Sequence, residues 1–302
     1  MWLSTILHAI GGTPMVRLSR LTPSNVFAKA EFLNPGGSVK DRIALNMIER
    51  AEQAGKLKPG CIICEPTSGN TGIGITLVGV HKGYRVIIVM PENMSDERKS
   101  IIQALGGELV LTPAEESVRG AVDKVNEIQA ANPCVFVPQQ FENPDNPGIH
   151  YEQTAAEIWE QMEGRVDAFV AGVGSGGTLA GVVRFLKEKR PEILGVAVEP
   201  ANVSALRGHG PGPHEIQGIG DGFVPAVLDV SLVDEVVEVT NEDAIQTARE
   251  LARKEACLVG ISSGANVWAA VQVAGRLGPD KNVVTLMPDR AERYFSTPLF
   301  QD

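Results

Sequence analysis

The sequence predicts an α/β fold made of two open, twisted, mostly parallel-sheet α/β domains with the active site in the cleft between them. Three observations lead there. From residue 61 onward, short β-branched runs alternate with helical stretches, the pattern of parallel strands joined by crossover helices. A strand, a glycine-rich loop and a helix follow one another twice, at 61–82 and at 166–190. A Pro- and Asn-rich break at 138–148 separates the two copies and marks a boundary between similar halves. On this reading residues 35–145 form a smaller domain, and 1–34 plus 146–302 form a larger one.

The elements follow in order. Residues 14–18 and 26–31 read as two short strands around Thr22-Pro23-Ser24-Asn25. Asn34-Pro35-Gly36-Gly37-Ser38-Val39-Lys40-Asp41-Arg42 is a turn feeding a helix that runs to about Ala54 and stops at Gly55. Ser38 is placed to cap that helix, with Asp41 completing a box-like S-x-x-D. Strand 61–65, helix 73–82, strand 84–90, helix 95–105, strand 108–112, helix 115–131 and strand 134–137 come next. Beyond the break lie helix 149–162, strand 166–171, helix 179–189 and strand 193–198. The Gly- and Pro-rich stretch 200–231 is long enough to be read as a functional loop. Strand 232–239, helices 241–255 and 263–276, and strand 282–287 complete the body.

Composition narrows the function. A chain of 302 residues with 43% hydrophobic and 21% charged content builds a large core and is globular. Its net charge of -10 repels phosphate backbones and argues against nucleic-acid binding. No apolar run approaches the roughly 20 residues of a membrane helix, and Met1 to Ile10 carry no signal-like pattern, so no membrane and a cytoplasmic address are expected. The four cysteines are too scattered for a disulfide scaffold. Cys61 and Cys64 form a C-x-x-C, yet on a strand positions i and i+3 face opposite sides, so both are read as core thiols.

Several motifs could carry chemistry. Lys40, beside the apolar Ile43, Leu45, Met47 and Ile48, can have its charged form disfavoured by burial, and a neutral amine can attack an aldehyde. Taken alone it reads as an ordinary solvated lysine at a helix start. Gly172-Val173-Gly174-Ser175-Gly176-Gly177-Thr178 opens a helix after a strand, an anion cradle suited to phosphate. The same loop satisfies G-x-G-x-x-G, and Glu199 lies 22 residues past Gly177, so a nicotinamide-dependent oxidoreductase is the rival reading. Against it, a complete α/β half precedes this loop, and Lys40 would go unexplained. Thr67-Ser68-Gly69-Asn70-Thr71-Gly72 starts another helix and suits a carboxylate. Ser262, in Gly260-Ile261-Ser262-Ser263-Gly264, is either an N-cap or a neutral hydrogen-bond partner for a ring nitrogen. The histidines show no ligand spacing, so no metal is expected.

An amine, a phosphate cradle, a carboxylate loop and a neutral partner for a heterocycle describe a pyridoxal-phosphate site. With these motifs and Pro211-Gly212-Pro213-His214-Glu215-Ile216-Gln217-Gly218-Ile219-Gly220, the chain resembles the cysteine synthases (O-acetylserine sulfhydrylases) from Gly12 to Thr297. These belong, with cystathionine β-synthase, to the fold-type II, tryptophan synthase β-like pyridoxal-phosphate enzymes. The resemblance implies pyridoxal 5'-phosphate as cofactor, with Lys40 as Schiff-base lysine and α-proton acid/base. It implies that Asn70 bonds the ring hydroxyl, that Gly174, Ser175, Gly176, Gly177 and Thr178 hold the phosphate, and that Ser262 meets the pyridine nitrogen. Thr67, Ser68, Thr71 and Gln140 match the group holding the substrate carboxylate, and Gly218 belongs to the substrate loop. The implied reaction is loss of acetate from O-acetylserine to an aminoacrylate, then addition of sulfide to give cysteine. A homodimer and a serine acetyltransferase partner are further expectations of the family. The absence of a haem-binding or regulatory extension favours a stand-alone synthase over the large cystathionine β-synthases. Asp221 departs from the alanine common in the family. It is read either as a specificity residue favouring an amino-thiol such as homocysteine or as a loop carboxylate capping a turn.

Overall fold

A computed structural model describes residues 2–67 and 69–301, with the side chains of 117 and 118 left aside. Strands β1 (Met15–Arg17) and β2 (Val26–Lys29) pair antiparallel. Helix α1 (Lys40–Gln53) buries Ile43, Ala44, Met47, Ile48 and Ala51, the spacing of an apolar face on a 3.6-residue repeat. Next come β3 (Ile62–Pro66), α2 (Asn70–His81), β4 (Arg85–Pro91), α3 (Asp96–Ala104), β5 (Glu108–Thr112), α4 (Ser117–Ala131) and β6 (Val135–Phe136). These four strands make a parallel sheet in the order β5-β4-β3-β6. Ile62, Ile63, Cys64 and Glu65 of β3 are all buried, as expected of a parallel strand covered on both faces.

The chain then forms α5 (Asp145–Ile149), α6 (Ala155–Gln161), β7 (Ala168–Gly172), α7 (Gly177–Lys189), β8 (Leu194–Pro200), β9 (Glu235–Val239), α8 (Asn241–Glu255), α9 (Ile261–Leu277) and β10 (Val283–Leu286). The second sheet runs β1-β2-β10-β7-β8-β9, parallel except for β1. Its two faces carry separate apolar cores, one built on α8 and α9 and the other on α6 and α7. Residues of α1 and α2 pack with the smaller sheet in a third core. Among the described residues no helix is long and apolar enough to cross a membrane.

Three expectations need correction. The 149–162 helix is not continuous: a π-helical turn, His150–Thr154, separates α5 from α6. α7 packs closely against it, since a Cβ on Gly181 would stand 2.3 Å from the Pro147 carbonyl and 2.8 Å from the His150 Cβ; such turns often mark functional positions. The N-cap of α1 is Val39, not Ser38. Asp41 does not close a box either. Its Oδ2 reaches back to accept the Gly36 N–H at 2.6 Å, while Ser38 Oγ accepts from the Lys40 N–H at 3.2 Å. Third, Cys61 is not a free thiol but is disulfide-bonded to Cys134, 73 residues away. Parallel pairing sets Ile62 beside Val135, which brings the residues just before them together at a Cα–Cα distance of 4.9 Å, within bonding range. Cys64, on the opposite face, is buried and free.

Candidate active site

A cleft open to solvent is lined by Lys40, Thr67, Asn70, Thr71, Gln140, Gly174, Ser175, Gly176, Thr178, Gly218, Asp221 and Ser262. Gly177 begins α7 directly behind it. Ser68 lies outside the described residues. Residues distant in sequence therefore converge because both sheets direct the carboxyl ends of their strands to one opening, where open α/β sheets bind ligands.

Lys40 is the first residue of α1. Burial lowers its proton affinity, and the negative charges of Asp221 and Asp289 act the other way. Its neighbour Arg42 is wholly buried and gives the helix a fixed anchor. Arg42 donates from Nε and Nη2 to Glu31 (both 2.8 Å) and from Nη1 and Nη2 to Glu157 (both 2.7 Å). Lys29 meets Glu157 at 2.8 Å. Burial would raise Glu31, but Arg42, the Thr13 hydroxyl and Lys29 outweigh it and hold the carboxyl down to about 2.

The α7 N-terminus follows Gly176, which sits at φ +79° and supplies no side-chain cap, so its first N–H groups are available to an anion. A Cβ on Gly174 would stand 2.3 Å from the Gly218 carbonyl; only glycine fits there. Behind the loop, His150 Nε2 and Thr178 Oγ1 are 3.1 Å apart, and His150 Nδ1 meets Thr154 Oγ1 at 2.9 Å. Burial, then the charges of Arg42 and Lys40, push His150 down to about 3, so this support is neutral. Asn146 Nδ2 donates to Ser175 Oγ (3.0 Å) and to the Gln140 carbonyl (2.7 Å).

At the other loop, α2 starts at Asn70 after Gly69, again without a side-chain cap. Thr71 Oγ1 donates to Gln140 Oε1 at 2.6 Å, leaving the Gln140 amide nitrogen uncommitted among the described residues. Asn70 Nδ2 donates to Asp289 Oδ2 at 2.6 Å. A carboxylate only accepts, so this bond turns the Asn70 Oδ1 away, buried and without a partner among the described residues. Ser262, 4% exposed, lies in the first turn of α9.

Sequence reasoning missed Asp289, Asn146, Glu65 and the role of Arg42. Asp289 is fully buried and also accepts from Tyr294 Oη at 2.6 Å. Its place three residues past β10 was the available signal, since strand ends carry such groups. The rival dinucleotide reading fails at Glu199. That side chain, 2% exposed, accepts from Ser204 Oγ at 2.7 Å and from the Leu206 N–H at 3.0 Å, so it caps a turn and is closed to a ribose.

The family model described as pyridoxal-phosphate dependent enzyme matches residues 6–289. The chain belongs to the pyridoxal-phosphate dependent enzyme family. It is 50% identical over 299 residues to a cysteine synthase of Staphylococcus aureus (strain N315), covering 98% of this chain and 96% of that one. Among solved structures it is similar to the cysteine synthase (OASS) of Entamoeba histolytica, with a TM-score of 0.96, 41% identity, and coverage of 100% of this chain and 92% of that one. It is also similar to an O-acetylserine dependent cystathionine beta-synthase of Helicobacter pylori, with a TM-score of 0.94, 42% identity and 99% coverage of each.

The residues present fit this family's cofactor. The loop through Gly174 and Gly176 leaves no room for a Cβ beside Gly218 and Leu228 and leads into the uncapped N-terminus of α7, whose N–H groups suit a phosphate. Asn70 Oδ1 is a buried acceptor awaiting a donor, and Lys40 is an amine whose proton burial loosens.

Proposed function

We propose that the protein is a pyridoxal-phosphate-dependent cysteine synthase, which replaces the acetate of O-acetyl-L-serine with sulfide to give L-cysteine. What supports the reading is one cleft lined by an amine, a glycine phosphate cradle, a carboxylate loop and a neutral serine, in a chain 50% identical to a cysteine synthase. Bound pyridoxal phosphate supplies an aldehyde for an amine and a ring that withdraws electrons. Lys40 Nζ would anchor it and would take and return the α-proton of the substrate, a task suited by burial-weakened basicity. Gly174, Ser175, Gly176, Gly177 and Thr178 hold the phosphate, Asn70 the ring hydroxyl, and Ser262 the ring nitrogen. A serine hydroxyl leaves that nitrogen less positive than a carboxylate partner would, which suits rapid loss of a good leaving group. Thr67, Ser68, Thr71 and Gln140 orient the α-carboxylate, with Gly218 at the substrate loop. The Cβ–O bond breaks with its electron pair leaving on acetate, and a Cβ–S bond forms. Residues 35–145 and 1–34 plus 146–302 act as two domains around the cleft. The homodimer and a serine acetyltransferase partner are carried from the family resemblance, and a cytoplasmic address is kept as an expectation of the sequence.

One observation favours a second nucleophile. Asp221 lines the cleft, where burial raises its carboxyl and Lys40 and His214 oppose the rise; in its ionised form it offers a negative charge to the ammonium group of an amino-thiol such as homocysteine.

The test is turnover of O-acetylserine with sulfide by purified protein that absorbs in the visible. Borohydride should fix the cofactor on Lys40, and Lys40→Ala should lose at least about 100-fold in turnover with its circular dichroism unchanged. A colourless protein that binds a nicotinamide nucleotide would overturn the reading.

A further inference from the structure

We propose that Glu65 is the positioning residue that sets Gln140 to grip the substrate carboxylate, and that its charge state governs the pH dependence of substrate binding. The inference rests on the proposed function, which gives Gln140 that task. Glu65 lies on β3, 1% exposed. A carboxylate is costly to bury without partners, yet among the described residues no cation reaches it. It accepts the backbone N–H groups of Gln139 on Oε2 (3.0 Å) and Gln140 on Oε1 (3.3 Å). Gln139 has φ +55°, a left-handed conformation that non-glycine residues keep only when the surroundings hold it. Consecutive N–H groups at such a bend form an anion-binding concavity, and here Glu65 fills it.

Gln140 is thereby held at three points: its N–H by Glu65, its carbonyl by Asn146, and its side-chain oxygen by Thr71. Its amide nitrogen is the group left to meet a carboxylate. Protonating Glu65 turns one oxygen into an O–H donor facing an N–H, and one of the two backbone bonds is lost. Burial raises this carboxyl, the two N–H groups oppose it, and the balance lies at about 7. The Cys64 thiol beside it is pushed up to about 12 by burial and by Glu65 itself, and so stays neutral. The register partner on β4 is Ile88, and the facing loop contributes Gln139 and Gln140. The ionised form makes both bonds, so substrate binding tightens as pH rises through about 7 and weakens below it.

The experiment uses holoenzyme and follows acetate release from O-acetylserine without sulfide, so that ionisation of the nucleophile does not enter. In wild type the half-saturating concentration should rise about tenfold from pH 8 to pH 6, as one proton titrating midway requires. Glu65→Gln should show the weaker binding at every pH, with the maximal rate within about threefold of wild type. Its Gln139 and Gln140 amides should also exchange hydrogen faster. Glu65→Asp, a shorter carboxylate, should restore part of the pH slope. A pH-independent wild type, or a Glu65→Gln enzyme with wild-type half-saturation and slope, overturns the proposal alone. Wild type that releases no acetate overturns the functional reading and the proposal with it.

Discussion

Replacing Arg42 by Met tests what fixes Lys40 in the cleft. The substitution keeps much of the volume but removes the charge that contacts Glu31 through paired hydrogen bonds. Glu31 is fully buried, and its carboxyl is held at about 2 against an ordinary 4.5, chiefly against the pull of burial. At about 1.4 kcal/mol per pH unit, that preference for the ionised form is worth about 3 kcal/mol, in line with the roughly 3–5 kcal/mol lost when one partner of a buried pair is removed. Glu157 adds less, because it is 21% exposed and keeps Lys29. Urea unfolding should show Arg42→Met less stable by about 3 kcal/mol at pH 7. Glu31 is a depressed carboxyl. The stability it draws from Arg42 is complete above pH 4.5 and disappears as pH falls through about 2. The gap between wild type and variant should therefore narrow in acid. A difference below about 1 kcal/mol at pH 7, or one that widens as pH falls, would refute the argument.

Two further predictions concern the smaller sheet and the cleft. The Cys61–Cys134 bond closes a separation of 73 residues, so on chain-entropy grounds Cys61→Ser should cost up to about 4 kcal/mol. A melting temperature unchanged by the substitution would show that the bond adds nothing. Asp221→Ala should lower the rate with homocysteine relative to sulfide by about tenfold, the effect of one lost charge contact; an unchanged ratio would sink the specificity role of Asp221.

Much of the fold was legible because its signals are local. The strands of both sheets and the helices on them follow from apolar runs and 3.6-residue spacing, and helix Asn241–Glu255 matches its expected limits. The glycine loops were legible for the same reason, since a Cβ-free approach leaves glycine in the sequence. The rest depends on which distant residues meet. Cys61 finds Cys134 because β6 joins the sheet beside β3 rather than at the β5 edge, an order no local pattern encodes. Asp41 looked like half of a capping box, yet the tight Gly36 turn competes for its carboxylate. Arg42 and Glu157 are 115 positions apart, and neither has a local feature pointing to the other.

That last pair explains a difference among the site residues. Thr67 and Asn70 follow the end of β3, Gly174 to Thr178 the end of β7, and Asp289 the end of β10. Each is placed by a strand clamped within a hydrogen-bonded sheet. Lys40 has no such support. Its helix follows β2 only after a short 3-10 turn, Glu31–Leu33, and the Pro35-Gly36-Gly37 bend. The role proposed for Lys40 requires it to be held closely, so another constraint has to replace the strand. The Glu31 carboxylate is that constraint: it stands in the 3-10 turn and grips Arg42 two residues beyond Lys40, while Glu157 ties the same guanidinium to α6. Gly11 and Gly12 are bound into the cluster through Asn34 and Glu157. The buried ion pairs thus stand where the sheet gives no purchase, and the amine's position should follow Arg42 more closely than any residue lining the cleft.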